Sequence, residues 1–157
     1  DNVLTACHKL GDYSIPDSIK RFGKFKNQEK LLNDKTTELL KLMGLWNCKD
    51  IVASNLPYGL QRKLEIARAL ALEPKLLLLD EPAAGMNPEE TIQLMELIKE
   101  IRDGFKLTVL LIEHHMDLVM GVCDRIFVLN LALGTPEEIQ GDKRVVEAYL
   151  GKEESHA

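Results

Sequence analysis

Residues Leu76–Pro82 read LLLLDEP, and this segment carries the strongest structural signal in the sequence. Four consecutive leucines predict a short strand that is covered on both faces, as in the interior of a parallel sheet. Asp80 and Glu81 follow at the carboxyl end of the strand, the edge where open α/β sheets place their ligand crevices. Asp80 is therefore placed to hold a magnesium ion, and Glu81 to orient or deprotonate an attacking water. The alternative is a strand that simply ends in an acidic turn.

Downstream of this strand, helices and apolar strands alternate. Asn87–Glu90 (NPEE) begins a helix, because Asn caps, Pro suits the first turn and Glu90 can close a capping box. Thr108–Ile112 predicts a second buried strand, Met116–Val122 a helix, and Ile126–Leu129 a third strand. A β-α-β-α-β order implies a parallel sheet with right-handed crossovers.

The C-terminal part is predicted to be helical, after one join that lacks a turn. Asn130–Leu133 would run one strand straight into the next, and it leaves no residues for the turn that a hairpin requires. Either no hairpin forms here, or a few turn residues are missing between Asn130 and Leu131, and we favour the second interpretation. Thr135–Glu138 (TPEE) then caps a short helix, and residues 145–150 form the last one.

Residues 1–57 carry almost no strand signal and predict a small helical subdomain, whereas residues 58–157 predict an α/β part. Leucine and methionine side chains fit a long helix that stops at Gly44. These side chains are Leu31, Leu32, Leu39, Leu40, Leu42 and Met43. The basic run Lys20–Lys26 is interpreted as a solvated surface, with a contact to lipid headgroups or a membrane partner as the alternative. The first residues resemble the start of a helix, so the chain is expected to begin in mid-domain.

Composition excludes several classes of protein. The chain has 157 residues, of which 45% are hydrophobic and 29% charged, as is usual for globular proteins. Its net charge of −5 argues against a nucleic-acid binder, which needs a basic surface. No apolar stretch reaches the length of a membrane span, and no secretory leader opens the sequence. The three cysteines lack metal-binding spacing, and they are interpreted as small, partly buried side chains in a reducing cytosol.

A second segment points to anion binding. Residues Leu56–Leu70 read LPYGLQRKLEIARAL, which places Gly59 beside a helix start. Backbone N–H groups and the helix dipole can face a phosphate there. This motif is weak alone, but it precedes Asp80 by about twenty residues.

Together the two segments resemble the signature helix and Asp-Glu strand of the ATP-binding cassette (ABC) ATPases. Ala84–Pro88 is similar to the loop that runs between paired ATPase domains, with Asn87 where many members carry Asp. Ile112–His114 is similar to the strand that ends in the switch histidine. Several segments of the sequence resemble the ATPases of branched-chain amino acid importers. The segments that carry this likeness are LPYGLQRKLEIARALA, DEPAAGMNP, TVLLIEHHMDLVM, GTPEEI and VVEAYLG.

The resemblance implies an α/β, ABC-type P-loop ATPase fold that is incomplete: a helical subdomain plus the C-terminal half of the parallel-sheet core. In the family, ATP lies between the phosphate-binding loop of one subunit and the signature loop of its partner. Glu81 and His114 are then the catalytic residues, and Asp80 holds Mg²⁺. The implied nucleotide-binding residues are Leu56, Pro57, Tyr58, Gly59, Leu60, Gln61 and Asn87.

The resemblance also has gaps. The phosphate loop GxxxxGK[ST] is nowhere in the sequence, nor is the glutamine-bearing loop, so the isolated chain is expected to be inactive. Pro57 and Tyr58 stand where the general family has Ser and Gly, and Leu60 stands where Gln is usual. His115 replaces the usual Asp of the branch.

The partners implied by the resemblance are a second ATPase subunit, a membrane permease pair and, through the permease, an external substrate-binding protein. No nucleic acid is implied. The parent protein is expected to hydrolyse ATP with Mg²⁺ at the cytoplasmic face of the cell membrane. Three alternatives remain: a partner-binding module without catalysis, an importer ATPase for another small polar substrate, and an ATPase of DNA repair or chromosome architecture. The last is disfavoured because no sustained heptad pattern is present.

The adjacent histidines are predicted to behave unequally. Neighbours in a strand point to opposite faces, so His114 and His115 are not expected to share a metal ion. His114 is predicted to reach a γ-phosphate. His115 is predicted to face away, toward a loop or the partner subunit.

Overall fold

The computed structural model describes residues 1–10 and 24–149. Its contacts divide the chain into two compact units. The first consists of residues 1–78 and 104–110, and the second of residues 79–103 together with the chain from Leu111 onward. The division at residue 57 into a helical part and an α/β part stays a prediction.

The first unit is mainly helical. Its α-helices are α1 (Asn2–Cys7), α2 (Lys24–Leu42) and α3 (Tyr58–Leu70). Short 3₁₀ turns at His8–Leu10, Trp46–Cys48 and Ala53–Asn55 complete the unit's helical elements among the described residues. Apolar side chains from the three helices form its core, namely Val3, Cys7, Leu32, Leu39, Ile66, Ala67 and Leu70.

Helix α2 ends where the sequence predicts. Gly44 adopts φ +68°, a left-handed conformation that costs glycine little. Its amide donates to the Lys41 carbonyl at 3.0 Å, and the Leu45 amide donates to the Leu40 carbonyl at 2.7 Å. These bonds satisfy carbonyls that the end of a helix leaves open. In the basic run Lys20–Lys26, residues 20–23 lie outside the described part of the chain.

Strands β1 (Leu76–Asp80) and β2 (Thr108–Ile112) pair with each other. The Thr108 amide donates to the Lys75 carbonyl at 3.0 Å, and the Glu81 amide donates to the Ile112 carbonyl at 2.9 Å. Both sequence numbers rise together along the ladder, so the strands are parallel, as predicted. The mixed α/β fold class is confirmed.

The expectation that both faces of these strands are covered is wrong for the described residues. Along β1, Leu77 and Leu79 are buried, whereas Leu76 and Leu78 are 50% and 64% exposed. Strand β2 repeats the alternation, with Leu110 and Ile112 exposed. Successive side chains point to opposite faces of a strand, and the described elements pack on one face alone.

The second unit contains helix α4 (Pro88–Phe105) as far as Asp103, together with α5 (Met116–Val122), α6 (Pro136–Gly141) and α7 (Lys143–Tyr149). The start of α4 confirms the predicted capping box. The Glu90 amide donates to Asn87 Oδ1 at 2.9 Å, and the Asn87 amide donates to Glu90 Oε2 at 3.1 Å. Thr135 and Glu138 make the equivalent box at α6. The cluster of buried side chains near these last helices is Val119, Ile126, Val128, Ile139 and Val145.

The third predicted strand does not join the parallel sheet. Strand β3 (Ile126–Val128) pairs with β4 (Ala132–Gly134) in an antiparallel hairpin. Asn130 adopts φ +60°, and the Leu131 amide donates to the Val128 carbonyl at 3.0 Å. The turn therefore closes with the residues present, because asparagine tolerates the left-handed conformation. The premise that no turn can form at Asn130–Leu133 is therefore wrong. The inference that turn residues are missing between Asn130 and Leu131 stays a prediction.

None of the helices in residues 1–10 and 24–149 has the length and the apolar composition that a membrane span requires.

Candidate active site

The candidate site forms around the end of β1, in the second unit. Glu81 comes directly after this strand and adopts φ +42°, which is uncommon for a residue with a side chain. Its amide continues the parallel ladder, and its carbonyl accepts from the Ala84 amide at 3.1 Å. Backbone held in a disfavoured conformation by fixed hydrogen bonds is frequent at functional sites. The geometry presents the Glu81 carboxylate to solvent at the sheet edge, with its side chain 53% exposed.

His114 lies beside Glu81. Its Nδ1 atom is 3.7 Å from Glu81 Oε1, and the side chains are 60% and 53% exposed. The structure thus brings the two predicted catalytic residues together where another molecule can reach both. Their roles stay predictions.

Glu113 is the residue that sequence reasoning missed. Its side chain is fully buried, although β2 has already ended at Ile112. Its Oε1 atom accepts from the Ala83 amide at 3.2 Å, and its Oε2 atom accepts from the His114 amide at 3.2 Å. One carboxylate therefore ties the turn after Glu81 to the segment that carries His114. A carboxylate between an apolar strand and a polar loop is the signal that could have revealed it.

The prediction that His115 faces away from His114 is wrong. The two rings have centroids 4.2 Å apart and an interplanar angle of 36°. His115 Nδ1 lies 3.2 Å from Glu113 Oε2. The alternation argument fails because β2 ends at Ile112, so the histidines lie in a loop and not in a strand. His115 takes the position before α5, with φ −82° and ψ 103°.

Asp80, the last residue of β1, is exposed. Among the described residues its carboxylate has no hydrogen-bond or ion-pair partner. A free carboxylate at the carboxyl end of a strand fits the oxygen ligation that Mg²⁺ prefers. This agreement with a Mg²⁺ site concerns the Asp80 carboxylate alone.

The predicted signature segment lies in the first unit, at the start of α3. Leu56 is buried, and Pro57 and Tyr58 are exposed. Gly59, Leu60 and Gln61 are half-buried. The Gln61 side chain donates to the Leu56 carbonyl at 2.7 Å, so its amide supports the loop locally. In the described part of the chain, no side chain caps the N-terminus of α3. Backbone N–H groups without such a cap are the donors that bind anions at helix starts.

An arginine anchors the exposed tyrosine of this segment. Arg62 Nε and Nη2 donate to the Tyr58 hydroxyl at 2.9 and 2.6 Å, and the guanidinium lies 5.0 Å from the ring centre. Arg62 also pairs with Glu65 at 2.7 Å. Hydrogen bonds to Glu65 and Tyr58 raise the pKa of Arg62 above its usual value.

Asn87, predicted to contact nucleotide, uses its side-chain oxygen to cap α4. That oxygen is therefore committed to the helix start.

Comparisons with known proteins bear on the family of the chain. A family model described as "ABC transporter" matches residues 12–84. A second, described as "Branched-chain amino acid ATP-binding cassette transporter", matches residues 130–155. The chain belongs to the ATP-binding cassette family of transporter ATPases.

Two curated relatives carry the same branch name. The chain is 45% identical over 156 residues to the high-affinity branched-chain amino acid transport ATP-binding protein LivG of Salmonella typhimurium, covering 97% of this chain and 61% of that protein. It is 40% identical, with the same coverages, to BraF of Pseudomonas aeruginosa, which has the same description. The chain thus spans about three fifths of the length of these relatives.

A solved structure supports the fold. The ADP conformation of MJ1267, an ATP-binding cassette of an ABC transporter, superposes with a TM-score of 0.72 at 27% identity. The match covers 96% of this chain and 61% of that chain.

Proposed function

We propose that the complete protein is the ATP-binding and ATP-hydrolysing subunit of an importer for branched-chain amino acids, at the cytoplasmic face of the cell membrane. The observation that carries the proposal is the pair of Glu81 and His114, 3.7 Å apart and exposed at the end of a parallel strand. The names of the two relatives supply the substrate class.

In this proposal Glu81 orients and deprotonates the attacking water. The left-handed backbone and the two backbone hydrogen bonds of Glu81 hold the start of its side chain in place, so little ordering remains when substrate arrives. His114 donates to the γ-phosphate and stabilises charge that develops there. The buried Glu113 carboxylate fixes the His114 backbone and is a positioning residue.

The magnesium ion of the reaction belongs at Asp80, whose exposed carboxylate is available to hold it directly or through water. When bound with the nucleotide, Mg²⁺ neutralises charge on the phosphates. The N-terminus of α3 is proposed to face ATP held by a second ATPase subunit, with the segment Leu56–Gln61 and Asn87 near that interface. In this proposal the complete protein has a segment that corresponds to the remaining two fifths of the relatives' length. That segment supplies the phosphate-binding loop and covers the exposed face of β1 and β2.

A groove in the first unit is the proposed docking place of the permease pair. It has a volume of about 580 Å³ and is lined by α1, α2 and the segment from Leu45 to Ala53. Ile51 and Val52 lie on its rim and are 49% and 65% exposed. Exposed aliphatic side chains beside a groove suit burial against another protein. Val52→Glu should weaken co-purification of the permease, whereas Leu31→Glu, equally exposed on α2 but outside the groove, should not.

The catalytic test uses the complete subunit. Glu81→Gln should lower ATPase turnover by ~10²–10⁴-fold while MgATP still binds, because it removes the general base and keeps the shape. His114→Ala should also lower turnover. Glu100→Gln, an exposed carboxylate on α4, is the matched control and should leave turnover unchanged. Near-normal hydrolysis by Glu81→Gln would place the base elsewhere.

The substrate test uses the subunit reconstituted with its permease pair. Hydrolysis should rise when an external binding protein loaded with leucine, isoleucine or valine is added. A response to another small polar substrate alone would keep the importer class and reject the branched-chain assignment. MgATP binding without any hydrolysis in the reconstituted system would favour the partner-binding module.

A further inference from the structure

The loop between β2 and α5 gathers three side chains that can bind metal. The candidate ligand atoms of Glu113, His114 and His115 all lie within 4.8 Å of one another. The loop leaves the strand before the histidines, so both imidazoles turn to the same side as the Glu113 carboxylate.

The geometry is close to that of a zinc site. Tetrahedral Zn²⁺ binds histidine nitrogens and carboxylate oxygens at about 2.0–2.2 Å, so neighbouring ligand atoms lie roughly 3.3–3.6 Å apart. His115 Nδ1 is 3.2 Å from Glu113 Oε2, and His114 Nδ1 is 4.0 Å from the same oxygen. The first distance already matches a tetrahedral edge. The second distance would shorten on rotation of the His114 side chain, which is 60% exposed.

The buried Glu113 carboxylate is a candidate ligand whose position is already fixed. Glu113 is held by the Ala83 and His114 amides, so it needs little reordering to accept an ion. The two imidazoles are more than half exposed, which leaves an entry path and room for water as a further ligand. Glu81 also carries a carboxylate oxygen 3.7 Å from His114 Nδ1 and adds negative charge beside the site.

We propose that Glu113, His114 and His115 bind a divalent transition-metal ion of the zinc type. Imidazole ligands favour Zn²⁺, Co²⁺ and Ni²⁺, whereas Mg²⁺ prefers oxygen ligands, so the magnesium of an ATPase assay does not compete. A further step rests on the proposed function: an ion bound to His114 withholds that imidazole from the γ-phosphate. Zinc then inhibits hydrolysis reversibly.

Direct binding tests the site without reference to activity. Zn²⁺ is titrated calorimetrically, and Co²⁺ by absorption, into the nucleotide-free complete subunit. All proteins carry Cys48→Ser and Cys123→Ser, because cysteine thiolates are zinc ligands in general and these two thiols are only half-buried. His115→Gln should weaken Zn²⁺ binding by at least about tenfold, because it removes one ligand of three. His8→Gln, a histidine in the first unit, is the matched control and should bind as the parent does.

His114→Gln gives a second variant and should also weaken binding, with circular dichroism checking that each variant is folded. ATPase rates of the same proteins are then compared with and without Zn²⁺. In the parent the rate should fall and recover with a zinc-selective chelator, and in His115→Gln the ratio of the two rates should return to about one.

Equal Zn²⁺ affinity in the parent and in both histidine variants would overturn the site. Zinc binding that depends on His115, in a subunit that never hydrolyses ATP, would keep the site and refute the proposed function. Normal hydrolysis without zinc binding would do the reverse.

Discussion

Replacing Glu113 by alanine should loosen both sides of the candidate active site. The change removes the acceptor of the buried Ala83 amide, and an unsatisfied buried donor costs about 1–3 kcal/mol. Loss of one buried methylene adds roughly 0.8 kcal/mol. Water can replace the bond to the His114 amide, because His114 is exposed. Release of a buried carboxylate offsets part of the cost, which leaves a net destabilisation of about 2 kcal/mol.

The assay combines urea unfolding with amide hydrogen exchange in the complete subunit. The Ala83 amide should exchange faster in Glu113→Ala, and ATP hydrolysis should fall because Glu81 and His114 lose their shared support. Glu113→Gln is the conservative control. It keeps one acceptor oxygen and should recover part of the protection. An unchanged unfolding midpoint together with unchanged Ala83 exchange would refute the reasoning that Glu113 ties these two segments.

Three further outcomes are expected. Ile139→Ala should lower the free energy of unfolding by about 2–5 kcal/mol in urea denaturation, since this core side chain is 1% exposed. Gly44→Ala should cost about 1–2 kcal/mol in the same assay, because φ is +68° and no atom crowds the added methyl, so the cost is conformational alone. Burial raises the pKa of the Cys123 thiol, so at pH 8 it should react with iodoacetamide more slowly than a free cysteine, and faster as pH rises toward that pKa.

Local signals predicted the helix starts because the deciding atoms are neighbours in sequence. Asn87 and Glu90 cap α4 with each other, and Thr135 and Glu138 do so at α6, as their spacing indicated. The parallel pairing of β1 with β2 also followed from the order of elements. The meeting of Glu81 with His114 follows from the rule that parallel strands end at one edge, because each residue comes shortly after one of the two paired strands.

Features that depend on where a strand stops were not predictable. His114 and His115 fall on one side because β2 ends before them, and pattern reading places strand ends poorly. The β3–β4 hairpin was not predictable because its turn needs Asn130 in a left-handed conformation. The apolar residues around Asn130 give no sequence signal for that conformation. The burial of Glu113 depends on the Ala83 amide, thirty residues away in sequence.

The four leucines of β1 do not determine which face of the strand is buried, because both faces carry the same side chain. If the strand slipped by one residue, leucine would replace leucine on both faces, and side-chain packing would barely register the error. The slip would, however, turn Asp80 from its exposed position to the buried side of the sheet. Burying an unpaired carboxylate is strongly unfavourable, so Asp80 rejects the wrong alignment. Asp80, the residue proposed to hold magnesium, thereby also favours the correct register of β1 during folding.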